Sequence, residues 1–294
     1  MWTVAALYRF VELKNLPALQ AEIKAACVEN GICGTLLIAP EGINGTIAGM
    51  GEKLDTVIDL LDRVAGVKSG ELKYSTASGK PFLRMKVRMK KEIITMAAPE
   101  ANPNKIVGKY VKPEDWNALI SDPDVTVLDT RNDYETAVGI FRGAIDPNIQ
   151  KFTDFKDFVS EKMDPKKHKK IAMFCTGGIR CEKASAYMLA HGFEDVYHLH
   201  GGILKYLETI PADQSMWDGE CFVFDRRVAV GHGLSEGCHD ICYGCRFPLK
   251  DGDKLSEKYE EGVSCPRCHD SLTPEKSAAL RMRHEQFKEG SFAQ

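Results

Sequence analysis

The sequence lacks any hydrophobic run of the about 18 residues that a membrane span requires. Its N-terminus also lacks the pattern of a secretory leader, because Arg9 and Glu12 interrupt the first apolar stretch too early. The ten cysteines are spread through 294 residues, so the disulfide scaffold of a short secreted protein is not expected. These absences predict a cytoplasmic protein with no membrane partner, whose thiols are free, catalytic or metal-bound.

An excess of charge of one sign is also missing. The chain has 39 Lys and Arg residues against 42 Asp and Glu residues, a formal net charge of -3. This balance excludes a protein that coats nucleic acid by overall charge, so any RNA binding requires a local basic face. No flavin, haem or nucleotide signature is recognisable, and no internal repeat or low-complexity tract is found.

The first part of the chain alternates strand and helix patterns. Residues 1–96 follow the order β-α-β-β-α-β, with helices predicted over 16–29 and 53–64 and a further strand over 82–89. This order is typical of a ferredoxin-like or acylphosphatase-like α+β sandwich. The proline-containing segment 97–115 is then predicted to be a linker.

The remainder divides into two parts with different patterns. Residues 116–212 alternate strands with helices, which indicates a parallel α/β sheet with helices on both faces. Residues 213–294 form a small cysteine-rich region with short strands, and a charged helix is predicted from Pro274 to Lys288. The predicted fold class is therefore α/β multidomain.

A glycine-rich loop that begins at Cys175 is the strongest candidate for an active site. Cys175 directly follows the apolar strand 171–174, and ligands bind at the carboxyl ends of the strands of an open parallel sheet. Gly177 and Gly178 allow several backbone N–H groups to point at one centre, and such a nest at a helix N-terminus stabilises an anion such as a thiolate. Arg180 adds a fixed positive charge. The predicted anion-binding loop also includes Thr176 and Ile179.

The alternative for Cys175 is a buried, inert small hydrophobe, but the Gly-Gly-Ile-Arg that follows it favours catalysis. A second cysteine, Cys181, stands six positions after Cys175. Two interpretations remain open for it. Its thiol resolves a persulfide or sulfenate on Cys175 by forming a disulfide, or it is only a residue of the helix.

Three motifs in order resemble the rhodanese domain. The first contains Asp129 and Arg131, followed by Glu135 and a Gly-Ile-Phe-Arg-Gly-Ala run; the second is the Cys175 loop; the third is a closing Gly-Gly turn after His200. Asp129 and Arg131 are candidate supporting residues of the site, although a salt-bridged pair that pins the loops is the favoured interpretation.

A basic strand follows the second predicted helix. Side chains alternate along a strand, so one face presents only cations, while Met85, Val87 and Met89 are expected to face inward. The cations of this candidate RNA-binding face are Arg84, Lys86, Arg88 and Lys90. The alternative is a solvated edge strand on which lysines discourage aggregation.

The cysteine-rich region contains two Cys-x2-Cys pairs separated by nineteen residues. This spacing is typical of a four-thiolate structural zinc site. The predicted ligands are Cys242, Cys245, Cys265 and Cys268. The competing interpretation is a set of thiols without metal, and Cys238, His239 or His269 could alter the ligand set.

Taken together, the three parts resemble the rhodanese-related tRNA uridine hydroxylases of bacteria over essentially the whole chain. The resemblance implies oxygen-dependent conversion of wobble uridine 34 to 5-hydroxyuridine, with molecular oxygen as co-substrate, a tRNA anticodon loop as partner, an unidentified electron donor and Cys175 as the essential residue. The alternative is a rhodanese-type sulfurtransferase that carries sulfur as a Cys175 persulfide. A third class, a binding platform without catalysis, is disfavoured because Cys175 and Arg180 are both retained.

Overall fold

A five-stranded sheet with two helices on one face forms the N-terminal part of the chain. The structure is a computed structural model and describes residues 1–288. The elements of this part are β1 (Trp2–Phe10), α1 (Leu16–Glu29), β2 (Cys33–Ala39), β3 (Gly42–Gly49), α2 (Glu52–Ala65), β4 (Glu71–Ala77) and β5 (Met85–Met89). Their order in the sheet is β4-β1-β3-β2-β5, with only the β2–β5 pair parallel. The predicted α+β sandwich is confirmed.

The two faces of this sheet have different surroundings. Helix α2 places Leu54, Val57, Ile58 and Leu61 at helical spacing, and these residues pack on one sheet face together with side chains from α1. The opposite face, called here the open face, includes Tyr8, Thr35, Leu37, Asn44 and Thr46, which line a cavity. The side-chain alternation of the strands therefore separates a core face from a face that is available to the rest of the chain.

Strand β5 differs in part from its prediction. Val87 is buried and packs against the helices as expected, but Met89 is 45% exposed. Met89 lies on the same face as Val87, because its partner in the register is the core residue Ile38, but it is not buried as predicted, because it is the last residue of an edge strand that pairs on one side only. Arg84 precedes the strand and Lys90 follows it, so only Lys86 and Arg88 lie within it.

A four-stranded parallel sheet forms the middle of the chain, as predicted. Its strand order is β6-β10-β9-β7. The elements of this part are β6 (Lys109–Val111), α3 (Pro113–Ile120), β7 (Val125–Asp129), α4 (Asp133–Thr136), β8 (Gly139–Phe141), α5 (Phe155–Lys162), β9 (Lys170–Phe174), α6 (Ile179–Ala190), β10 (Asp195–Leu199) and α7 (Gly202–Thr209). Residues 109–111 lie within the segment expected to be a linker but pair with β10 at the edge of the sheet.

Short strand pairs form the C-terminal part. Strand β11 (Trp217–Gly219) pairs with β8, and the remaining strands form two small hairpins. The hairpins are β12 (Cys221–Phe222) with β13 (Ala229–Val230) and β14 (Asp240–Ile241) with β15 (Pro248–Leu249). Two helices, α8 (Asp251–Lys254) and α9 (Pro274–Lys288), complete this part. The predicted terminal helix is confirmed, and the last six residues of the predicted region 213–294 lie outside the described residues. No helix within residues 1–288 is long and apolar enough to cross a membrane.

Candidate active site

The Cys175 loop connects the carboxyl end of β9 to the first turn of α6. The Gly178 amide donates a hydrogen bond to Cys175 Sγ at 3.1 Å, and the Cys181 amide donates a second one. The sulfur therefore lies at the N-terminus of a twelve-residue helix, where unpaired amides and the helix dipole favour a negative charge. Cys175 has no exposed surface, yet it lines the cavity beneath the open face.

Two glycines allow this close arrangement. Gly178 has φ +106, and a Cβ there would come within 2.8 Å of the Tyr8 hydroxyl. Gly202 has φ +65, and a Cβ there would lie 2.5 Å from the carbonyl oxygen of Cys175. Both positions require glycine because a side chain would be strained and would clash. Gly202 allows the amide of Ile203 to donate to the Cys175 carbonyl at 2.9 Å. The Gly-Gly turn after His200 therefore supports the Cys175 loop.

The two cysteines of the loop have opposite electrostatic properties. Burial alone would raise the pKa of Cys175, but hydrogen bonds from the Cys181 thiol and from two backbone amides, together with the Arg180 charge, hold the pKa of Cys175 well below its usual value. Burial and the neighbouring Cys175 raise the pKa of Cys181 well above its usual value. These opposite shifts favour the thiolate form of Cys175, with the Cys181 thiol as its hydrogen-bond donor, and a thiolate is the nucleophilic form of cysteine.

Glu135 holds Arg180 in place. The two terminal guanidinium nitrogens of Arg180 donate to the Glu135 carboxylate at 2.5 and 2.7 Å, and the Thr176 hydroxyl donates to it at 3.0 Å. Glu135 has no exposed surface, and despite this burial the Arg180 charge lowers the pKa of Glu135. Arg180 therefore acts on Cys175 as a fixed, paired charge. Glu135 belongs to the first rhodanese-like motif, but no role was predicted for it, and its place in that motif is the only sequence feature that points to the site.

Asp129 and Arg131 form a second buried ion pair. Arg131 donates to both carboxylate oxygens of Asp129, from Nε at 2.9 Å and from Nη2 at 2.6 Å, and Nη2 also donates to the Gly139 carbonyl at 2.6 Å. Its guanidinium lies 5.0 Å from the Trp217 ring centroid. Neither residue is among the described residues that line the cavity. The contacts are those of a pair that joins the loops around β7 and β8.

A cavity of about 760 Å³ lies above Cys175 and has walls from three parts of the chain. The open face of the N-terminal sheet forms one wall, and the Cys175 loop with Arg180 forms the second. The third includes Val223, Phe224, Asp225 and Arg227 from the turn between β12 and β13, called here the rim loop (residues 223–228). Such a volume is within the range of small-molecule sites.

The N-terminal sheet contacts the catalytic loop directly. The Tyr8 hydroxyl donates to Glu182 of α6 at 2.8 Å, and both groups are buried. Lys73 Nζ donates to the Gly177 carbonyl at 3.1 Å. Tyr8 and Lys73 were not predicted as site residues, because each lies more than 100 positions in sequence from the residue that it contacts.

The candidate RNA-binding cations lie beside this cavity. Lys90 is one of its lining residues. In the parallel register of β2 and β5, Lys86 is paired with Thr35 and Arg88 with Leu37, and both partners line the cavity. Lys86 and Arg88 therefore extend the open face to its edge. Arg84 is exposed and lies outside the strand.

The four predicted metal ligands come together in the C-terminal part. Their sulfur atoms all lie within 4.8 Å of one another, with Cys242 Sγ 3.8 Å from Cys268 Sγ and Cys245 Sγ 3.7 Å from Cys265 Sγ. These separations are too long for disulfides, and the four thiols could hold a metal ion. Cys238 and His239 lie apart from this group, next to Glu220.

Two family models match the chain. The model described as UPF0176 acylphosphatase like domain matches residues 2–93. The rhodanese-like domain model matches residues 112–209. These matches correspond to the two sheets.

Proteins named tRNA uridine(34) hydroxylase are similar to the chain over almost its whole length. The protein of Teredinibacter turnerae is 55% identical over 287 residues, which cover 98% of this chain and 89% of the relative. That of Agrobacterium fabrum is 52% identical over 285 residues, covering 97% and 91%. That of Bartonella bacilliformis is 54% identical over 286 residues, covering 97% and 94%.

Proposed function

The chain belongs to the tRNA uridine(34) hydroxylase family, and we propose that it hydroxylates uridine 34 of tRNA at C5 with Cys175 as the nucleophile. The observation that carries this proposal is the cavity. The Cys175 sulfur is at its floor, and the N-terminal sheet and the rim loop enclose it together with the rhodanese domain. A single rhodanese domain would supply only one of these three walls.

The chemistry starts from the Cys175 thiolate. It adds to C6 of the uracil ring, so that a C–S bond forms and electron density accumulates at C5. C5 then bonds to molecular oxygen. Two electrons from a donor and three protons convert the outer oxygen atom to water and leave a hydroxyl at C5, and one proton is returned in the next step. Loss of the C5 proton and of the thiolate restores the ring. Arg180 and the loop amides stabilise the anionic sulfur before it adds to C6 and again when it leaves as a thiolate.

The substrate enters as single-stranded RNA. Bases in an anticodon loop can be unstacked at low cost, which allows the target uracil to reach a sulfur that has no exposed surface. Lys86, Arg88 and Lys90 at the edge of the open face would contact backbone phosphates on the way to the cavity. Arg84 would contact the same backbone beyond the strand. We place the reaction in the cytoplasm, where reducing conditions preserve the thiolate.

Nucleoside mass spectrometry of tRNA tests the proposal. Cells that contain only Cys175→Ala are expected to lose 5-hydroxyuridine and its derivatives, whereas Cys27→Ala, a change of a buried thiol in the N-terminal core, retains them. Unchanged 5-hydroxyuridine in the Cys175→Ala cells would overturn the proposal.

A trapping experiment tests the intermediate. An anticodon stem-loop with 5-fluorouridine at the target position is expected to form a covalent adduct with Cys175, because fluorine replaces the C5 proton that must leave. A persulfide on Cys175 with no RNA adduct would favour sulfur transfer instead.

The four-cysteine group is proposed to hold a structural zinc ion. Zn–S bonds of about 2.3 Å in a tetrahedron place the sulfurs about 3.8 Å apart, close to the separations of 3.7 and 3.8 Å between Sγ atoms here. All four ligand positions are filled by thiolates, so zinc there would stabilise the fold rather than react. Metal analysis of the reduced protein should give one equivalent, and Cys242→Ala should lower it. Less than half an equivalent in the unchanged protein would contradict this assignment.

A further inference from the structure

The rim loop presents an aromatic ring at the mouth of the cavity. Phe224 is 56% exposed, although it lines the same cavity as the fully buried Cys175. Its ring packs against Phe222 with centroids 5.3 Å apart, and Phe222 packs against Tyr134 at 5.2 Å. One part of the Phe224 ring is therefore held by an aromatic cluster, and the rest is open.

The loop that carries Phe224 is fixed at several points. Arg227 forms an ion pair with Asp225 inside the loop, and its Nη1 donates to Ser75 Oγ on β4 at 2.8 Å. The Val223 amide donates to the Val228 carbonyl at 2.8 Å and closes the turn. Val228 has φ +62, a conformation that a β-branched residue adopts only where its surroundings impose it. Phe224 is thus exposed on a loop that is held in one shape.

The position of Phe224 determines which part of a substrate it can meet. Cys175, at the floor, would take the target uracil, so a ring at the mouth would meet a neighbouring part of the RNA. The cations Lys86, Arg88 and Lys90 lie on or next to β5, at one edge of the sheet, whereas the rim loop is hydrogen-bonded to β4 at the other edge. Phosphates on a basic edge and bases on an aromatic ring are the two elements of a single-strand binding site.

We propose that Phe224 is a stacking platform for the nucleobase that flanks the target uridine. This assignment rests on the proposed function and adds a subsite to it. Stacking at the mouth would hold the RNA strand while the adjacent base is turned into the cavity. Because every base has a π-face, the subsite would fix the path of the strand with little preference for sequence.

The test measures binding of an anticodon stem-loop RNA to the full chain. Phe224→Leu keeps an apolar side chain but removes the ring, and Phe224→Tyr keeps the ring. Phe224→Leu is expected to raise Kd roughly 5- to 150-fold, which corresponds to the about 1–3 kcal/mol of one base–aromatic stack. Phe224→Tyr should bind as the unchanged chain does. The slope of log Kd against log salt should stay the same in both variants, because neither removes a charge.

A fluorescent base locates the stack. The RNA carries 2-aminopurine on one or the other side of the target, and quenching on binding is expected at one of these positions. That quenching should persist with Phe224→Tyr and disappear with Phe224→Leu. Equal affinity and equal quenching with Phe224→Leu would overturn the stacking role and leave the hydroxylase proposal intact. Failure of the unchanged chain to bind any stem-loop would overturn both.

Discussion

Replacing Cys181 with alanine should raise the pKa of Cys175 and reduce its nucleophilicity near neutral pH. The Cys181 thiol donates a hydrogen bond to the Cys175 sulfur in a site that has no exposed surface. A hydrogen bond to a charged group contributes about 1.5–3 kcal/mol, and one pKa unit corresponds to about 1.4 kcal/mol. The expected rise is therefore about 1–2 pKa units. The Arg180 charge and the Gly178 amide remain, so the pKa of Cys175 should stay below that of an equally buried thiol without them.

Thiolate absorbance as a function of pH measures this change. The same titration of Cys175→Ala is subtracted, so that the other nine of the ten cysteines do not contribute to the difference. Alkylation of Cys175, resolved by mass spectrometry, gives an independent midpoint. Cys181→Ser is the matched control, because its hydroxyl keeps a donor at this position.

An unchanged midpoint in Cys181→Ala would refute the role of the hydrogen bond. Loss of activity in Cys181→Ser with an unchanged Cys175 midpoint would have a different meaning. It would show that the sulfur of Cys181 is required in the reaction itself, for example as the partner in a disulfide.

Three further predictions follow from other buried or charged groups. Glu135→Gln leaves Arg180 as an uncompensated buried charge and should lower the free energy of unfolding by about 3–5 kcal/mol; a loss below about 1 kcal/mol in denaturant titrations would contradict this. Burial lowers the pKa of His198 to about 4 from 6.5, so between these values the unfolded chain binds a proton that the folded chain does not. Stability should therefore fall by up to about 3 kcal/mol as the pH falls through this window, and His198→Gln should remove that part of the pH dependence. Replacing Lys86, Arg88 and Lys90 together with Gln should reduce the salt slope of RNA binding by about 2; an unchanged slope would exclude them from phosphate contacts.

The parts of the fold that the sequence predicts are those with a local pattern. Helix α2 has apolar residues at helical spacing, and the Cys175 loop is a continuous segment between a strand and a helix. In both cases the residues that define the element are neighbours in sequence. The four metal ligands were predictable for the same reason, because the two cysteines of each Cys-x2-Cys pair are close in sequence and only the separation between the two pairs is long.

The remaining features depend on contacts between distant segments. Tyr8 and Glu182 are hydrogen-bonded although they lie 174 positions apart in sequence, and Arg227 and Ser75 although they lie 152 apart. The periodicity of the sequence does not indicate such distant pairs. Met89 follows the alternation of its strand, but that alternation does not reveal that the strand lies at a sheet edge. Residues 109–111 are too few to show a pattern, and they form a strand because β10 offers a free edge.

The three-walled cavity limits how this protein can exchange modules with others. A rhodanese domain transferred alone to another chain would keep the strand, the loop and the sulfur, but it would lose the wall from β1 to β5 and the rim loop, which is joined to β4 through Arg227. Synthesis runs from the N-terminus, so Cys175 leaves the ribosome before the rim loop does, and the cavity around it is completed only afterwards. The cavity is therefore complete only when all three regions are present in one chain, although two of them match separate family models.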